Sequence, residues 1–146
     1  MSAAGSSGET LVVRRVIPVP RERVFQAWLD PASLAKWMRP SPMTDATADV
    51  DARVGGKFRI VMLEGPKRYE HTGEYRVIKP PERLEFTWIS DATDHRPTVV
   101  TIEFLEREPG TEVVLTHRRL PATQVESHRR GWTDILQHFE RRSGTA

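Results

Sequence analysis

The residues TQVESHRRGWTDILQHFE at positions 123–140 carry the strongest structural signal in the chain. One set of them recurs at the 3.6-residue period of a single α-helical face: Val125, His128, Trp132, Ile135, Leu136 and Phe139. Thr123 and Glu126 have the spacing of a capping box, in which each side chain binds a free backbone N–H at the helix start. We therefore predict a long C-terminal helix, one face of which packs against the rest of the domain.

The chain before this helix has the pattern of an antiparallel sheet. Between residues 45 and 120, runs with apolar residues at every second position are separated by Gly, Pro and charged residues, and about six strands fit. Residues 11–17 form a further, β-branched strand, and two short helices follow it, the second beginning at Asp30-Pro31. The predicted fold is α+β, with a curved antiparallel sheet of six to seven strands wrapped around the C-terminal helix.

Length and charge indicate one ordinary globular domain. The 146 residues fit a single core, and we assign residues 11–142 to the domain, 1–10 to a disordered N-terminal tail and 143–146 to a C-terminal tail. The formal charge is only +2, and the 18 arginines and four lysines are spread along the chain. This argues against nucleic acid as a partner, because nucleic-acid binding requires a concentrated basic surface.

The sequence also lacks several kinds of segment and site. It contains no cysteine, which excludes disulfides and thiolate metal sites and fits a reducing compartment. No apolar run has the character of a signal peptide or the length of a transmembrane helix. We therefore expect a cytoplasmic location and no membrane partner.

Several short stretches together resemble one protein family: Val24-Phe25-Gln26-Ala27-Trp28, Asp30-Pro31, Gly55-Gly56-Lys57-Phe58, Pro80-Pro81-Glu82-Arg83-Leu84, Phe86-Thr87-Trp88, Gly110-Thr111-Glu112-Val113, Leu115-Thr116-His117 and Gly131-Trp132. With them, the chain resembles the AHSA1-like (activator of Hsp90 ATPase homologue C-terminal-like) branch of the START-like superfamily, also called SRPBCC or Bet v 1-like. The resemblance covers residues 11–142. It implies a helix-grip fold with an internal apolar cavity between the sheet and the long helix.

Large side chains with one polar atom are predicted on the inner faces, where they could orient a ligand inside an apolar pocket. The predicted cavity residues are Trp37, Met38, Phe58, Ile60, Met62, Tyr75, Phe86, Trp88, Ile102, His117, His128, Trp132, Ile135 and Leu136. If the family arrangement holds, Trp37 and Met38 lie at the cavity mouth. The alternative is plain core packing, in which backbone or water satisfies each polar atom.

Two glycines have alternative explanations. Gly131 lies inside a predicted helix, where glycine is unfavourable. Either the helix approaches the sheet closely there, or the missing side chain leaves room for a ligand beside Trp132. Gly73 either allows a strand to bend or a backbone to approach closely, or is an ordinary turn glycine.

The search for catalytic residues yields few candidates. Zinc-hydrolase, phosphate-loop and α/β-hydrolase motifs are absent. His117 and His128 are predicted to face the interior, where they could act as acid and base or as part of a metal site, but two ligands are too few to hold a metal. Glu74 or Glu70 could serve as a general base if it pointed inward beside Tyr75. We therefore expect no metal and no cofactor.

Three functions remain open at this point. The leading hypothesis is a non-enzymatic protein that binds an apolar or aromatic small molecule. The second is a co-chaperone for an Hsp90-type chaperone, which we do not expect here because the family's named activator has a further N-terminal domain that engages the chaperone. The third is a cyclase- or hydrolase-like enzyme acting on an aromatic or polyketide-type substrate, with His117 and Glu74 as its candidate acid and base. A homodimer is compatible with the sequence.

Overall fold

The computed structural model describes residues 8–144 of the chain. Its elements are β1 (Glu9–Ile17), α1 (Arg21–Ala27), α2 (Pro31–Trp37), β2 (Asp45–Val50), β3 (Lys57–Glu64), β4 (Lys67–Lys79), β5 (Arg83–Trp88), β6 (Thr98–Arg107), β7 (Gly110–Leu120) and α3 (Val125–Gly144). Short 3-10 turns at Asp91–Thr93 and Ala122–Gln124 precede β6 and α3. The order of elements confirms the prediction of an α+β fold with two short helices after the first strand.

The seven strands form one antiparallel sheet in the order β1-β7-β6-β5-β4-β3-β2. The first strand therefore pairs with the last one, and Ile17 lies opposite Thr111. The inner face of the sheet and one face of α3 contribute apolar side chains to a single buried cluster. Because each large apolar side chain that is removed from water stabilises the fold by roughly 1.5–3 kcal/mol, this cluster holds the helix against the sheet.

Gly73 allows two strands to approach more closely than any other residue would permit. A Cβ atom at this position would lie 2.0 Å from the carbonyl oxygen of Thr87 and 2.5 Å from the ring of Phe58. The pairing of β4 with β5 shifts register between Tyr75 and Val77, just beyond this glycine. Close approach, rather than a turn, therefore explains Gly73, and the irregular pairing beside it helps the sheet to curve.

The short helices α1 and α2 pack their aromatic residues against the end of α3. Asp30 caps α2 as predicted, because its Oδ1 accepts a hydrogen bond of 3.2 Å from the backbone N–H of Ala32. The ring of Trp37 lies 4.8 Å from that of Trp28 and 4.7 Å from that of Phe139, measured between ring centroids. These contacts close one end of the interior.

The start of α3 differs from the prediction. The segment after Pro121 forms a 3-10 turn, and the α-helix begins only at Val125. Glu126 pairs with Arg129 instead of reaching back along the chain, and no hydrogen bond in the described part of the chain joins it to Thr123. The predicted capping box is therefore wrong. An N-cap residue needs an extended backbone, whereas Thr123 lies within the 3-10 turn.

The ends of the domain extend slightly beyond the predicted boundaries. β1 begins at Glu9, inside the predicted tail of residues 1–10, and α3 runs to Gly144. The rest of the predicted N-terminal tail, residues 1–7, and residues 145–146 lie outside the described part of the chain. None of the helices within residues 8–144 is both long enough and apolar enough to cross a membrane.

Candidate ligand-binding cavity

A cavity of about 210 Å³, open to solvent on one side, lies between α3 and the inner face of the sheet. Its deeper wall is formed by the buried side chains of Met62, Trp88, Trp132 and Ile135. The more exposed lining residues are Pro40, Met43, Tyr69, His71, Ala92, Ser127, His128 and Gly131. Among the described residues no aspartate, glutamate, lysine or arginine lines it, so the cavity is apolar apart from a few neutral polar groups.

Gly131 keeps one side of this cavity open. A Cβ atom at Gly131 would have only one neighbour within 4 Å, the Cβ of Pro40 at 4.0 Å. The helix therefore does not approach the sheet closely at this point, and the first explanation offered above for this glycine is wrong. The missing side chain leaves space beside Trp132, as the second explanation requires.

Only part of the predicted cavity lining surrounds this space: Met62, Trp88, His128, Trp132 and Ile135. Five other predicted residues enclose, with Trp28, Leu34 and Trp88, a void of only about 10 Å³, which is no more than about one water needs: Met38, Phe58, Ile60, Tyr75 and Phe86. Their rings interlock, and the centroid of Phe58 lies 5.3 Å from that of Phe86 and 5.4 Å from that of Tyr75. Side chains therefore fill that part of the interior.

The remaining predicted cavity residues are packed into the core and do not line the cavity: Trp37, Ile102, His117 and Leu136. Trp37 and Met38 do not lie at a mouth, since each is only 1% exposed. The Nε1 of Trp37 donates a hydrogen bond of 2.9 Å to Ser33 Oγ within α2. The reason for the difference is the packing of Trp37 against Trp28 and Phe139, which draws it inward.

His117 is held by hydrogen bonds at both ring nitrogens. The Nε1 of Trp132 donates to His117 Nδ1 at 3.0 Å, and His117 Nε2 lies 2.7 Å from Thr98 Oγ1. Thr98 in turn donates to the carbonyl oxygen of Trp88 at 2.6 Å, so its hydroxyl accepts from the Nε2–H of His117. Burial lowers the pKa of His117 to about 3, and the neighbouring His128 adds to this effect. In this arrangement neither nitrogen is free to transfer a proton.

Two other histidines, His71 and His128, line the cavity, and both favour the neutral form. Burial lowers the pKa of His71 to about 4, although backbone groups of Ile60 and Tyr69 oppose the shift. Burial also lowers the pKa of His128, against the opposing effect of the Gln124 carbonyl. The cavity therefore offers uncharged imidazoles at neutral pH.

The other catalytic candidates lie away from the interior. Glu74 and Glu70 are exposed, and Glu70 forms an ion pair with Arg59, so neither points inward beside Tyr75. Glu74 instead lines an open groove of about 610 Å³ with exposed charged residues of both signs, including Asp49. Within residues 8–144, no group of three or more His, Cys, Asp or Glu side chains is placed to hold a metal ion.

Sequence reasoning missed several residues that line the cavity: Pro40, Met43, Tyr69, His71, Ala92 and Ser127. A signal was present for two of them. Tyr69 and His71 precede Tyr75 by even numbers of residues on β4, and they lie opposite Met62 and Ile60 of β3. Since side chains alternate along a strand, this register places them on the face that carries the predicted residues.

Comparison with known proteins identifies the family. The family model described as Activator of Hsp90 ATPase homolog 1-like protein matches residues 18–144. The Activator of 90 kDa heat shock protein ATPase homolog 1 of Mus musculus is 29% identical over 90 residues, which are 61% of this chain and 25% of the mouse protein. The matched segment thus spans a quarter of the length of that curated relative.

Solved structures of a bacterial and a parasite protein have a similar fold. A Chromobacterium violaceum protein is 27% identical with a TM-score of 0.82, and the match covers 92% of this chain and 96% of that one. An HSP90 activator from Plasmodium falciparum is also 27% identical, with a TM-score of 0.75 and coverage of 94% and 97%. Because the family model matches most of the chain, the chain belongs to the Activator of Hsp90 ATPase homolog 1-like family.

Proposed function

We propose that this protein binds a small apolar or aromatic molecule in the cavity between α3 and the sheet. The observation that carries the proposal is an apolar space of about 210 Å³ beside Gly131, with Trp88 and Trp132 in its wall. An apolar protein cavity of roughly 150 Å³ holds benzene, so this space suits a molecule of one or two rings. It is smaller than the pockets of about 300–1,000 Å³ that bind drug-sized ligands.

The helix sequence supports the same function. Glycine inside a helix costs about 1 kcal/mol relative to alanine, and here no close packing requires it. Gly131 lowers helix stability but keeps an apolar space open. Ligand binding in that space explains why a glycine occupies this position. The aromatic walls of the cavity provide flat surfaces against which a ring can pack.

A cavity-filling variant tests the proposal. Calorimetric titration of the wild-type protein with indole and with toluene is expected to show saturable binding of each at one site. The Gly131→Leu side chain would occupy the cavity, so this variant is expected to lose binding of both compounds by at least tenfold. The control is Arg130→Leu, which adds the same side chain at the neighbouring exposed position of α3. Absence of binding to the wild-type protein, or equal binding to Gly131→Leu, contradicts the proposal.

A second candidate function is stimulation of an Hsp90-type chaperone. The observation that favours it is the similarity to the Plasmodium falciparum HSP90 activator, which extends over nearly the whole of that chain. The test is the rate of ATP hydrolysis by the Hsp90 of the same organism with and without this protein. An unchanged rate excludes the candidate. If the rate rises, the Gly131→Leu variant shows whether stimulation requires the cavity.

A further inference from the structure

One side of the cavity is polar and is formed by two imidazole rings, those of His71 and His128. An adjoining hollow of about 300 Å³ shares Tyr69, His71 and Ala92 with the cavity. Among residues 8–144 no lysine or arginine lines either space, and the hollow is also lined by Glu70 and Asp91. A ligand with a carboxylate would therefore bring a negative charge into a partly buried site that has no positive partner for it.

Hydrogen bonding determines which nitrogen of His128 can meet a ligand. Its Nδ1 lies 2.8 Å from the carbonyl oxygen of Gln124, so Nδ1 carries the proton and donates it to this bond. A neutral imidazole has only one N–H, which leaves a lone pair on Nε2. Within residues 8–144 no protein group forms a hydrogen bond with this Nε2, and it is not one of the fully buried atoms without a partner, so it keeps some accessible surface on a residue that lines the cavity. His128 thus presents a hydrogen-bond acceptor.

His71 reinforces the neutral character of this side. The centroid of its ring lies 4.9 Å from that of Trp88, so the imidazole continues the aromatic wall. Its Nδ1 is buried and has no hydrogen-bond partner among residues 8–144. Because the uncharged form predominates at neutral pH, this ring supplies a polar edge but no positive charge.

Building on the binding function proposed above, we propose that the ligand is a neutral aromatic compound of one or two rings that carries a hydrogen-bond donor, such as a phenolic O–H or an indole N–H, and that Nε2 of His128 accepts this bond. The rings occupy the space beside Gly131, between Trp132 and the other apolar walls. A purely apolar ligand would take this acceptor out of water without replacing its hydrogen bond, which is unfavourable.

Three probes of similar size test this specificity on the wild-type protein. Phenol, toluene and benzoate are titrated separately by calorimetry at pH 7.5. We expect phenol to bind more tightly than toluene, although toluene is more apolar and leaves water more readily. Benzoate is expected to show no saturable binding, because no cation lines the cavity.

A single substitution then assigns the preference to His128. His128→Phe keeps an aromatic ring but removes the acceptor, so we expect the ratio of phenol to toluene affinity to fall about tenfold. The control is His138→Phe, the same change on the same helix, at a residue whose Nδ1 is bonded to the Arg39 carbonyl and which does not line the cavity. Its ratio is expected to equal that of the wild-type protein.

The outcomes separate this inference from the function on which it rests. If neither phenol nor toluene binds to the wild-type protein, the proposed binding function fails, and the donor preference fails with it. If both bind but toluene binds more tightly, or if His128→Phe leaves the ratio unchanged, only the donor preference is overturned. Benzoate binding as tight as phenol binding overturns the neutrality of the ligand.

Discussion

Trp132, His117 and Thr98 form a buried chain of hydrogen bonds that joins α3 to β7 and β6. Each donor in this chain has one acceptor, so loss of one member leaves a buried polar atom without a partner. Such an atom costs about 1–3 kcal/mol. These hydrogen bonds therefore fix the rotation of α3 relative to the sheet, and the position of the cavity wall that Trp132 forms depends on them.

A comparison of two Trp→Phe substitutions isolates the contribution of these hydrogen bonds. Trp132→Phe is expected to lower the free energy of unfolding more than Trp28→Phe does, by about 1–3 kcal/mol, because it leaves His117 Nδ1 unsatisfied. Trp28 is the comparison because it is buried like Trp132, while its Nε1 has no hydrogen-bond partner among residues 8–144; Trp28→Phe therefore also removes an unsatisfied buried donor, which widens the expected difference. Urea unfolding followed by circular dichroism gives both values. Equal losses would mean that the hydrogen bond contributes nothing beyond ring volume.

At the residue scale, the local sequence pattern predicted which side chains are buried better than it predicted where in the interior they lie. Alternation along the strands identified Phe58 and Tyr75 as inward-facing, and both are buried. The pattern could not indicate that their rings interlock and leave almost no space, because interlocking depends on rotamers and on strands that are distant in sequence. For the same reason it could not indicate that Trp37 turns inward against Phe139.

The two glycines within secondary-structure elements are expected to respond oppositely to alanine. Gly131→Ala should stabilise the protein by about 1 kcal/mol, since the helix gains propensity and the added methyl group meets no obstacle. Gly73→Ala should destabilise it strongly, because its Cβ would clash with the Thr87 carbonyl oxygen and with the ring of Phe58. Thermal unfolding of both variants measures the contrast. A lower melting temperature for Gly131→Ala would show that the helix cannot accept the methyl group.

At the element scale, the sequence was sufficient for α3 and the strands but not for the start of α3. Periodicity extends over many residues, so a few misleading positions do not alter the prediction. The capping box depends on two residues alone, and the turn that follows Pro121 was enough to prevent it. At α2, where Asp30 is followed directly by Pro31, local chemistry and backbone conformation agree, and the predicted cap forms.

Acid should destabilise the whole molecule before its carboxylates titrate. His71 and His117 have folded pKa values of about 4 and about 3, well below the value of about 6.5 expected in the unfolded chain. As the pH falls below 6.5, the unfolded chain binds protons that the folded protein does not, so stability decreases. Between pH 7 and pH 5 each of these histidines should lower the free energy of unfolding by about 2 kcal/mol.

Urea unfolding at pH 7 and pH 5 measures this dependence. In His71→Phe the contribution of this histidine is removed while those of His117 and His128 remain, so the loss between these pH values should be about 2 kcal/mol smaller than that of the wild-type protein. A wild-type stability that does not change over this range would contradict the burial of neutral imidazoles.

At the scale of the whole molecule, the order of elements predicted the architecture but not the extent of the cavity. An α+β chain with a single long helix can bury its apolar faces in few ways, so the fold follows from the pattern of elements. The volume that remains empty is a small difference between two large volumes, that of the enclosure and that of the side chains within it. Sequence pattern does not determine such a difference, and the cavity occupies only one end of the predicted lining.

The pairing of β1 with β7 has a consequence for synthesis of the chain. The first strand of this domain finds its neighbour in the sheet only after all the other strands of the domain have been made, and α3 is made later still. Until α3 is made, the apolar inner face of the sheet has no cover, and until β7 is made both edges of β1 are unpaired. Such nascent states are prone to aggregation. For most of its time on the ribosome, this domain therefore exposes apolar surface that the finished protein buries, and it can complete its core only after α3 has been made.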